Sequence, residues 1–399
     1  MTKAALIERI AARGDGVTGD GRHVAGAVPG DRVGNDGVII PGPNRAEPVC
    51  RHFGKCGGCE LQHVAEPALA DFVRDRVVGA LAAQQAEAGA VLPALLSPPQ
   101  SRRRAALTAL CTGKQVAIGF NAAQSNQIVD MRQCPLLLPE LFALIAPLRE
   151  LLTRIAQQRR PVKVKLQMLD QGVEVILEGV RAEGLEAAMA LQDFAGENAL
   201  ARFAIDQGQG LETLWQPEPP TVCFGDVTVE VPTFPFLQAT AAGQVALVDA
   251  VTRAIGSAAA VADLFAGVGT FALSVQKGRK IYAAEGARDA IAALAAAANR
   301  ARALVATEHR DLFRRPLIPI ELNRFGAVIL DPPRAGAEEQ VVQLAASAVP
   351  VIAYVSCNPA SFARDAKLLI DGGYTLDWVQ PVGQFRWSTH VELAGRFLK

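Results

Sequence analysis

The chain has 399 residues, half of them hydrophobic and 20% charged, which is too long for one ordinary domain and rich enough in apolar residues for two or three packed cores. Its 40 lysines and arginines balance its 40 aspartates and glutamates, so no global field marks a polyanionic partner and any nucleic-acid surface must be a local patch. No apolar run reaches secretory or membrane-spanning length, and a soluble, cytoplasmic protein with no membrane partner, acting as a monomer, is expected.

Residues 1–48 contain short β-like pieces, ALIERIAA, RHVAGAV and DRVGNDGVII, separated by GDG and PGD turn signals, and these predict a small partial β-barrel. A tight Cys/Gly loop runs from Cys50 to about Leu61, and a helical pattern follows from about Glu66 to Gln85. From Ala105 to about Val229, strands such as ALTALCT, QVAIGF and VKVKLQML alternate with helical segments. Residues 49–230 therefore read as a central α+β domain. In residues 231–399 each apolar run is short, β-rich and followed by a helix. This is the pattern of a Rossmann-like α/β fold, with a mostly parallel sheet and its ligand site at the carboxyl ends of the strands.

In Asp263-Leu-Phe265-Ala-Gly267-Val-Gly269-Thr270-Phe271 a strand ends in a glycine turn that lets the backbone approach a ligand closely. Glu285, at the end of the next strand, can accept hydrogen bonds from ribose hydroxyls. An adenosyl ligand satisfies both features, and the phosphates decide which. The dinucleotide fingerprint requires a third glycine where this chain has Ala272, and Asp263 would repel a pyrophosphate. A negative charge there suits the sulfonium and amino group of S-adenosylmethionine. Asp311, after the third strand, falls where the adenine ring is expected.

Asp331-Pro-Pro-Arg334 ends the fourth strand of this pattern and Ser356-Cys357-Asn358-Pro359 ends the fifth, so both share a rim with the glycine loop. A cysteine alone is usually a core residue. At a strand end in a cofactor domain, followed by Asn-Pro, it reads as a nucleophile.

Those residues resemble the bacterial RNA uridine-C5 methyltransferases, and the resemblance covers nearly the whole chain through FLQ at 236–238, DLFAGVGTF at 263–271, Glu285, DPPRAG at 331–336, YVSCNPA at 354–360 and THVELAGRF at 389–397. It implies a class I methyltransferase domain in which Gln238, Phe265, Glu285, Asp311 and Asp331 line S-adenosylmethionine, joined by Gly267 and Thr270 of the glycine loop. Cys357 is then the nucleophile, Glu392 the base, and Phe236 the residue packed against the flipped target base. The chemistry needs these types: a thiolate added at C6 gives C5 enough negative character to take a methyl group, and a carboxylate must then remove the C5 proton.

Cys50, Cys56, Cys59 and the distant Cys134 form a four-thiolate set that admits either zinc or an iron-sulfur cluster. The ribosomal-RNA branch of the resembled family implies a 4Fe-4S cluster, with a structural role. Cys111 and Cys223 read as core cysteines. Arg102, Arg103 and Arg104, like RRPVKVK at 159–165, could be a solvated face; the resemblance favours Arg102 to Arg104 for RNA phosphates. GAVPGDRV resembles the RNA-binding TRAM barrel, shortened here, and Thr240 and Thr270 stand where the family commonly has Asn. The cysteine set and the barrel remnant favour ribosomal over transfer RNA. Nitrogen-directed methylation and a non-catalytic zinc-knuckle RNA binder are the competing readings; DPPR with SCNP counts against the first, and Cys357, Glu285 and the glycine loop together count against the second.

Overall fold

The computed structural model describes residues 4–399, so Met1 to Lys3 of the expected N-terminal segment lie outside the described residues. The chain forms two compact units. The first comprises residues up to Val49, Cys59–Ser97 and Ala242–Lys399; the second comprises Cys50–Gly58 and Pro98–Ala241.

The first unit begins with five short strands, β1 (Ala5–Ile10), β2 (Gly16–Thr18), β3 (His23–Val24), β4 (Arg32–Val33) and β5 (Ile39–Ile40), in the order β3-β2-β1-β4-β5. Their core is small: Ile7, Ala27 and Val33, with Val24 and Ile39 against it. Polar closure compensates. Fully buried Asp31 of the GDRV turn accepts from the Val28 and Gly42 N–H groups at 2.8 and 2.7 Å and pairs with Arg45. Helix α1 (Glu66–Ala83) and strands β6 (Ala88–Val91) and β7 (Leu95–Leu96) follow.

The second unit is a six-stranded sheet of β8 (Arg104–Thr112), β9 (Gln115–Gly119), β10 (Pro161–Leu169), β11 (Gly172–Glu178), β12 (Arg202–Asp206) and β13 (Leu211–Trp215), in the order β13-β12-β11-β10-β8-β9. Period-two alternation puts Leu107, Val164, Leu166, Val175 and Leu177 on one face. That face is covered by helix α3 (Ile145–Ile155), which follows the short α2 (Pro139–Ala143), and by α4 (Gly184–Glu197). Leu148, Leu151, Leu152 and Ile155 recur at helical spacing, and all are buried in this core. A hairpin, β14 (Thr221–Phe224) and β15 (Val227–Glu230), completes the unit. Its alternation turns Cys223 outward, so that residue is exposed and not a core cysteine, whereas Cys111 is buried as expected.

The first unit resumes with α5 (Ala241–Ile255), β16 (Ala260–Leu264), α6 (Thr270–Ser274), β17 (Lys280–Glu285), α7 (Arg288–Arg300), β18 (Val305–His309), α8 (Pro319–Leu322), β19 (Ala327–Leu330), α9 (Glu338–Ala345), β20 (Val351–Ser356), α10 (Pro359–Asp371), β21 (Thr375–Gly383) and β22 (Glu392–Leu398). The sheet order is β18-β17-β16-β19-β20-β22-β21-β6, with β7 also on β21. Strands β16 to β20 are parallel, and β22 runs antiparallel to both β20 and β21. Strand order reverses between β16 and β19, which opens a crevice at their carboxyl ends. Segment 59–97, read from the sequence as part of the central domain, belongs to this unit: β6 and β7 extend the sheet in parallel with β21, and α1 packs on α10 and β21. Among the described residues, no helix is long and apolar enough to cross a membrane.

Candidate active site

The glycine loop is shaped by two residues with left-handed backbone, Gly267 at φ 56° and Gly269 at φ 99°, preceded by Phe265 at φ 66°. A Cβ on Gly269 would meet Leu294 at 2.5 Å, whereas one on Gly267 would project into open space. Gly269 is therefore required by packing and Gly267 by conformation and by the room it leaves. The N–H groups of Phe265 and Ala266 donate to the Ala284 carbonyl, fixing the loop to the end of β17. Glu285 locks it further, accepting from Gly267 N–H at 2.9 Å and Ala287 N–H at 2.7 Å.

Asp263 is fully buried beneath the loop. One carboxylate oxygen accepts from Ala272 N–H at 2.8 Å, and the other, Oδ1, is buried without a hydrogen-bond partner. Burial, reinforced by the charges of Asp331 and Glu285, pushes its carboxyl up to about 8. A buried acceptor left open in this way suits a cationic ligand group. Thr270, buried, opens α6 directly after the loop. Asp311 caps its own turn, accepting from Phe313 and Arg314 N–H groups at 3.1 and 3.3 Å, and the Phe313 ring lies 5.4 Å from that of Phe265.

The two chemical loops are tied together. The Arg334 carbonyl of the DPPR turn accepts from Asn358 Nδ2 and from Ser361 Oγ, both at 3.1 Å, while Asn358 Oδ1 caps α10 through Ala360 N–H. Cys357 is thereby held in a fixed turn, half-buried. Strands β20 and β22 pair Ser356 with Leu393, so one further step brings Cys357 opposite Glu392. Burial pushes the Cys357 thiol up to about 11, with the charges of Glu392 and Asp331 adding to the effect. Glu392 is 3% exposed; burial and Asp331 raise it to about 8, and a hydrogen bond from the Gln384 side chain opposes the shift. Asp331, at the rim, is raised by desolvation to about 7. Three carboxylates and a thiol thus share one poorly solvated negative site, an arrangement suited to a cationic substrate and to proton transfer near neutral pH.

Gln238 and Phe236 belong to the second unit. Phe236 is 65% exposed, and Gln238 is buried. The sequence singled out the arginines beside them as phosphate contacts, and all three make contacts within the fold. Arg103 Nε donates to the Gln238 carbonyl and Arg104 Nη1 to the Leu237 carbonyl, both at 2.9 Å. The Arg104 guanidinium also lies 5.0 Å from the Phe236 ring centre and 5.4 Å from that of Phe234. Burial, with Arg104 beside it, pushes Arg103 down to about 10. These cations position the 234–239 segment. Arg102 donates from Nε to the Arg104 carbonyl at 3.1 Å and lies 5.8 Å from the Phe120 ring centre.

In the cysteine loop, Gly57 N–H donates to the Asn121 carbonyl at 2.9 Å, and a Cβ there would collide with that oxygen. Cys50 Sγ lies 4.0 Å from the carbonyl of Gln133, the neighbour of Cys134; burial and the nearby Cys50 raise the Cys134 thiol. Cys50, Cys56, Cys59 and Cys134 are half-buried and form no disulfide. Among the described residues, no three His, Cys, Asp or Glu side chains gather closely enough to hold a single metal ion.

A family model described as tRNA (Uracil-5-)-methyltransferase matches residues 230–399. An uncharacterized RNA methyltransferase of Zymomonas mobilis is 49% identical over 393 residues, spanning 98% of this chain and 99% of that protein. A 23S rRNA (uracil(1939)-C(5))-methyltransferase of Halomonas elongata is 31% identical over 426 residues, spanning 97% of this chain and 87% of that protein. The Pyrococcus abyssi tRNA (uracil-54, C5)-methyltransferase, solved with S-adenosyl-L-homocysteine, matches 99% of both chains with a TM-score of 0.78 at 23% identity, a likeness of fold. The chain belongs to the RNA (uracil-C5)-methyltransferases, enzymes that draw their methyl group from S-adenosylmethionine.

Proposed function

We propose that this enzyme methylates C5 of a uridine in 23S ribosomal RNA through a covalent adduct between Cys357 and C6, with Glu392 removing the C5 proton. The observation that carries the mechanism is the placement of Cys357 and Glu392 side by side at the ends of two hydrogen-bonded strands, beside Asp331. Addition of the Cys357 thiolate to C6 moves the ring electrons toward O4 and C5, and C5 then takes the methyl group. Glu392 accepts the C5 proton, the C5–C6 double bond re-forms, and the C6–S bond breaks to return the thiolate. S-adenosylmethionine supplies, when bound, the electrophilic methyl and a positive charge that offsets the three carboxylates. Asp263, through its open oxygen, together with Phe265, Gly267, Thr270, Glu285, Asp311 and Asp331, would hold it. Phe236, exposed and backed by Arg104, offers an aromatic surface for a base taken out of its stack.

The ribosomal assignment is supported by similarity to the Halomonas enzyme over nearly the whole chain and by the four-cysteine set. The four-thiol set Cys50, Cys56, Cys59 and Cys134, with glycines at 57 and 58, is of the type that suits a 4Fe-4S cluster. Its role is structural, since methyl transfer moves no net electrons.

The test is to incubate the protein with methyl-labelled S-adenosylmethionine and deproteinised ribosomal or transfer RNA, then digest to nucleosides. Label in 5-methyluridine of ribosomal RNA, abolished in Cys357→Ala, is the expected result. Label confined to transfer RNA would overturn the substrate, and full activity in Cys357→Ala would overturn the covalent mechanism.

A further inference from the structure

The loop that leads into Glu392 is held by a segment from the other end of the chain. Glu60 and Leu61, which directly follow Cys59, both donate their N–H groups to the Trp387 carbonyl, at 2.8 and 2.9 Å. The Glu60 side chain reaches the same stretch: burial raises its carboxyl, and the Thr389 backbone and the Ser388 side chain beside it oppose that rise. One residue earlier, Arg386 Nη1 donates to the Ser97 carbonyl at 3.0 Å, and its other terminal nitrogen pairs with Glu66 at the start of α1. Gly14, in the turn between β1 and β2, packs against the same place, where a Cβ would lie 3.6 Å from Leu61 and Thr389 and 3.7 Å from Glu60.

Trp387 adopts φ 60°, a left-handed conformation that a bulky side chain resists. It persists because the surrounding anchors determine it, and those anchors come from segment 60–97. Only His390 and Val391 separate the anchored Thr389 from Glu392.

We propose that Glu60 is a positioning residue for Glu392: together with Leu61 it anchors residues 387–389 and so sets where the Glu392 carboxylate stands when the C5 proton is removed. This rests on Glu392 being the base. The chemistry gives a specific signature. Addition of Cys357 and methyl transfer precede proton removal, so a misplaced base leaves them running and stalls the enzyme as an adduct carrying the new methyl group. In that adduct the C6–S bond is intact, and C5 bears both methyl and hydrogen. A base displaced by about 1 Å lowers the rate of its step by a factor on the order of a hundred.

The experiment uses the full chain with an RNA that the wild type methylates, and reads both released 5-methyluridine and the methyl-labelled protein–RNA adduct that survives denaturing electrophoresis. Glu392→Gln sets the reference, accumulating adduct. Glu60→Ala is expected to accumulate the same adduct while product formation falls about 10- to 100-fold. Ser388→Ala, which removes one neighbour of the Glu60 carboxyl and leaves the backbone bonds to Trp387 in place, is expected to do so more mildly, and the double variant to be no worse than Glu60→Ala. Glu60→Gln keeps an acceptor oxygen and is expected to restore turnover. Unchanged turnover in Glu60→Ala, or adduct and product falling together as in a simple loss of folded protein, would overturn the positioning role. Absence of adduct in Glu392→Gln would remove the base assignment and this inference with it; adduct in Glu392→Gln but not in Glu60→Ala would remove the inference alone.

Discussion

Cys357 and Glu392 stand opposite one another where β20 and β22 run out of register partners, one step beyond the Ser356–Leu393 pair. Burial raises both groups, Asp331 adds to the effect on each, and Glu392 raises Cys357 further. The rate of 5-methyluridine release is therefore expected to rise with pH through about 8, as Glu392 loses the proton that keeps it from acting as a base. Asp331→Asn removes one negative neighbour from each group, so the rising limb should move to lower pH, by up to about one unit. Single-turnover rates at saturating cofactor between pH 6 and 9.5 report the shift; an unmoved limb would mean that Asp331 does not act on the pair.

Asp263 makes a stability prediction with a definite sign. Its carboxyl is raised in the fold to about 8 from an ordinary 3.8, so ionising it destabilises the native state. That loss is absent below about pH 4 and accrues as pH climbs to about 8. Asn cannot ionise. Asp263→Asn should therefore be more stable than wild type by ~1–3 kcal/mol at pH 8, with a smaller gain at pH 5, while binding S-adenosylmethionine more weakly. Denaturant melts at the two pH values, with cofactor titrations, check both halves.

The two loop glycines should fail differently. Gly267→Ala meets open space and needs only a left-handed alanine, an expense of ~1 kcal/mol, but its methyl enters the proposed cofactor cradle. Weaker cofactor binding with a nearly unchanged melting temperature is expected. Gly269→Ala drives a methyl to 2.5 Å from buried Leu294 and should lower stability by ~1–3 kcal/mol. Equal melting temperatures for the two variants would contradict this division.

In the second unit, Arg202 and Glu174 form a buried ion pair at 2.7 Å, with side chains 5% and 0% exposed. Glu174 also accepts from Phe234 N–H, and Arg202 donates to the Val231 carbonyl at 2.8 Å, so the pair fixes the segment that carries Phe236. Arg202→Ala strands the carboxylate and should destabilise by ~3–5 kcal/mol; Glu174→Gln with Arg202→Met, which removes both charges, should recover much of that loss. Thermal melts of the single and double variants decide it.

The parallel strands, the glycine loop and the Asp331 and Cys357 turns were legible in the sequence because each is local: a short apolar run, a breaker and a reactive residue within a dozen positions. Residues 88–96 gave no comparable signal. AGAV and LL are too short and too weakly patterned to announce strands, and only β21, distant in sequence, makes them so. Arg103 and Arg104 read as RNA phosphate contacts, and their carbonyl partners at Gln238 and Leu237 were not foreseen because these lie far along the chain. Glu60 was passed over for the same reason, since nothing beside it in sequence hints at Trp387.

The pairing of β6 with β21 also dictates an order of assembly. The second unit is drawn mainly from one unbroken stretch, Pro98–Ala241, and can collapse as soon as that stretch leaves the ribosome. Helix α1 and β6, synthesised earlier, must wait for β21 and β22 at the far carboxyl end. Closing so long a loop is entropically slow, so the catalytic half is the last to form, and a chain that stops before β22 lacks both the link between β20 and β21 and the base.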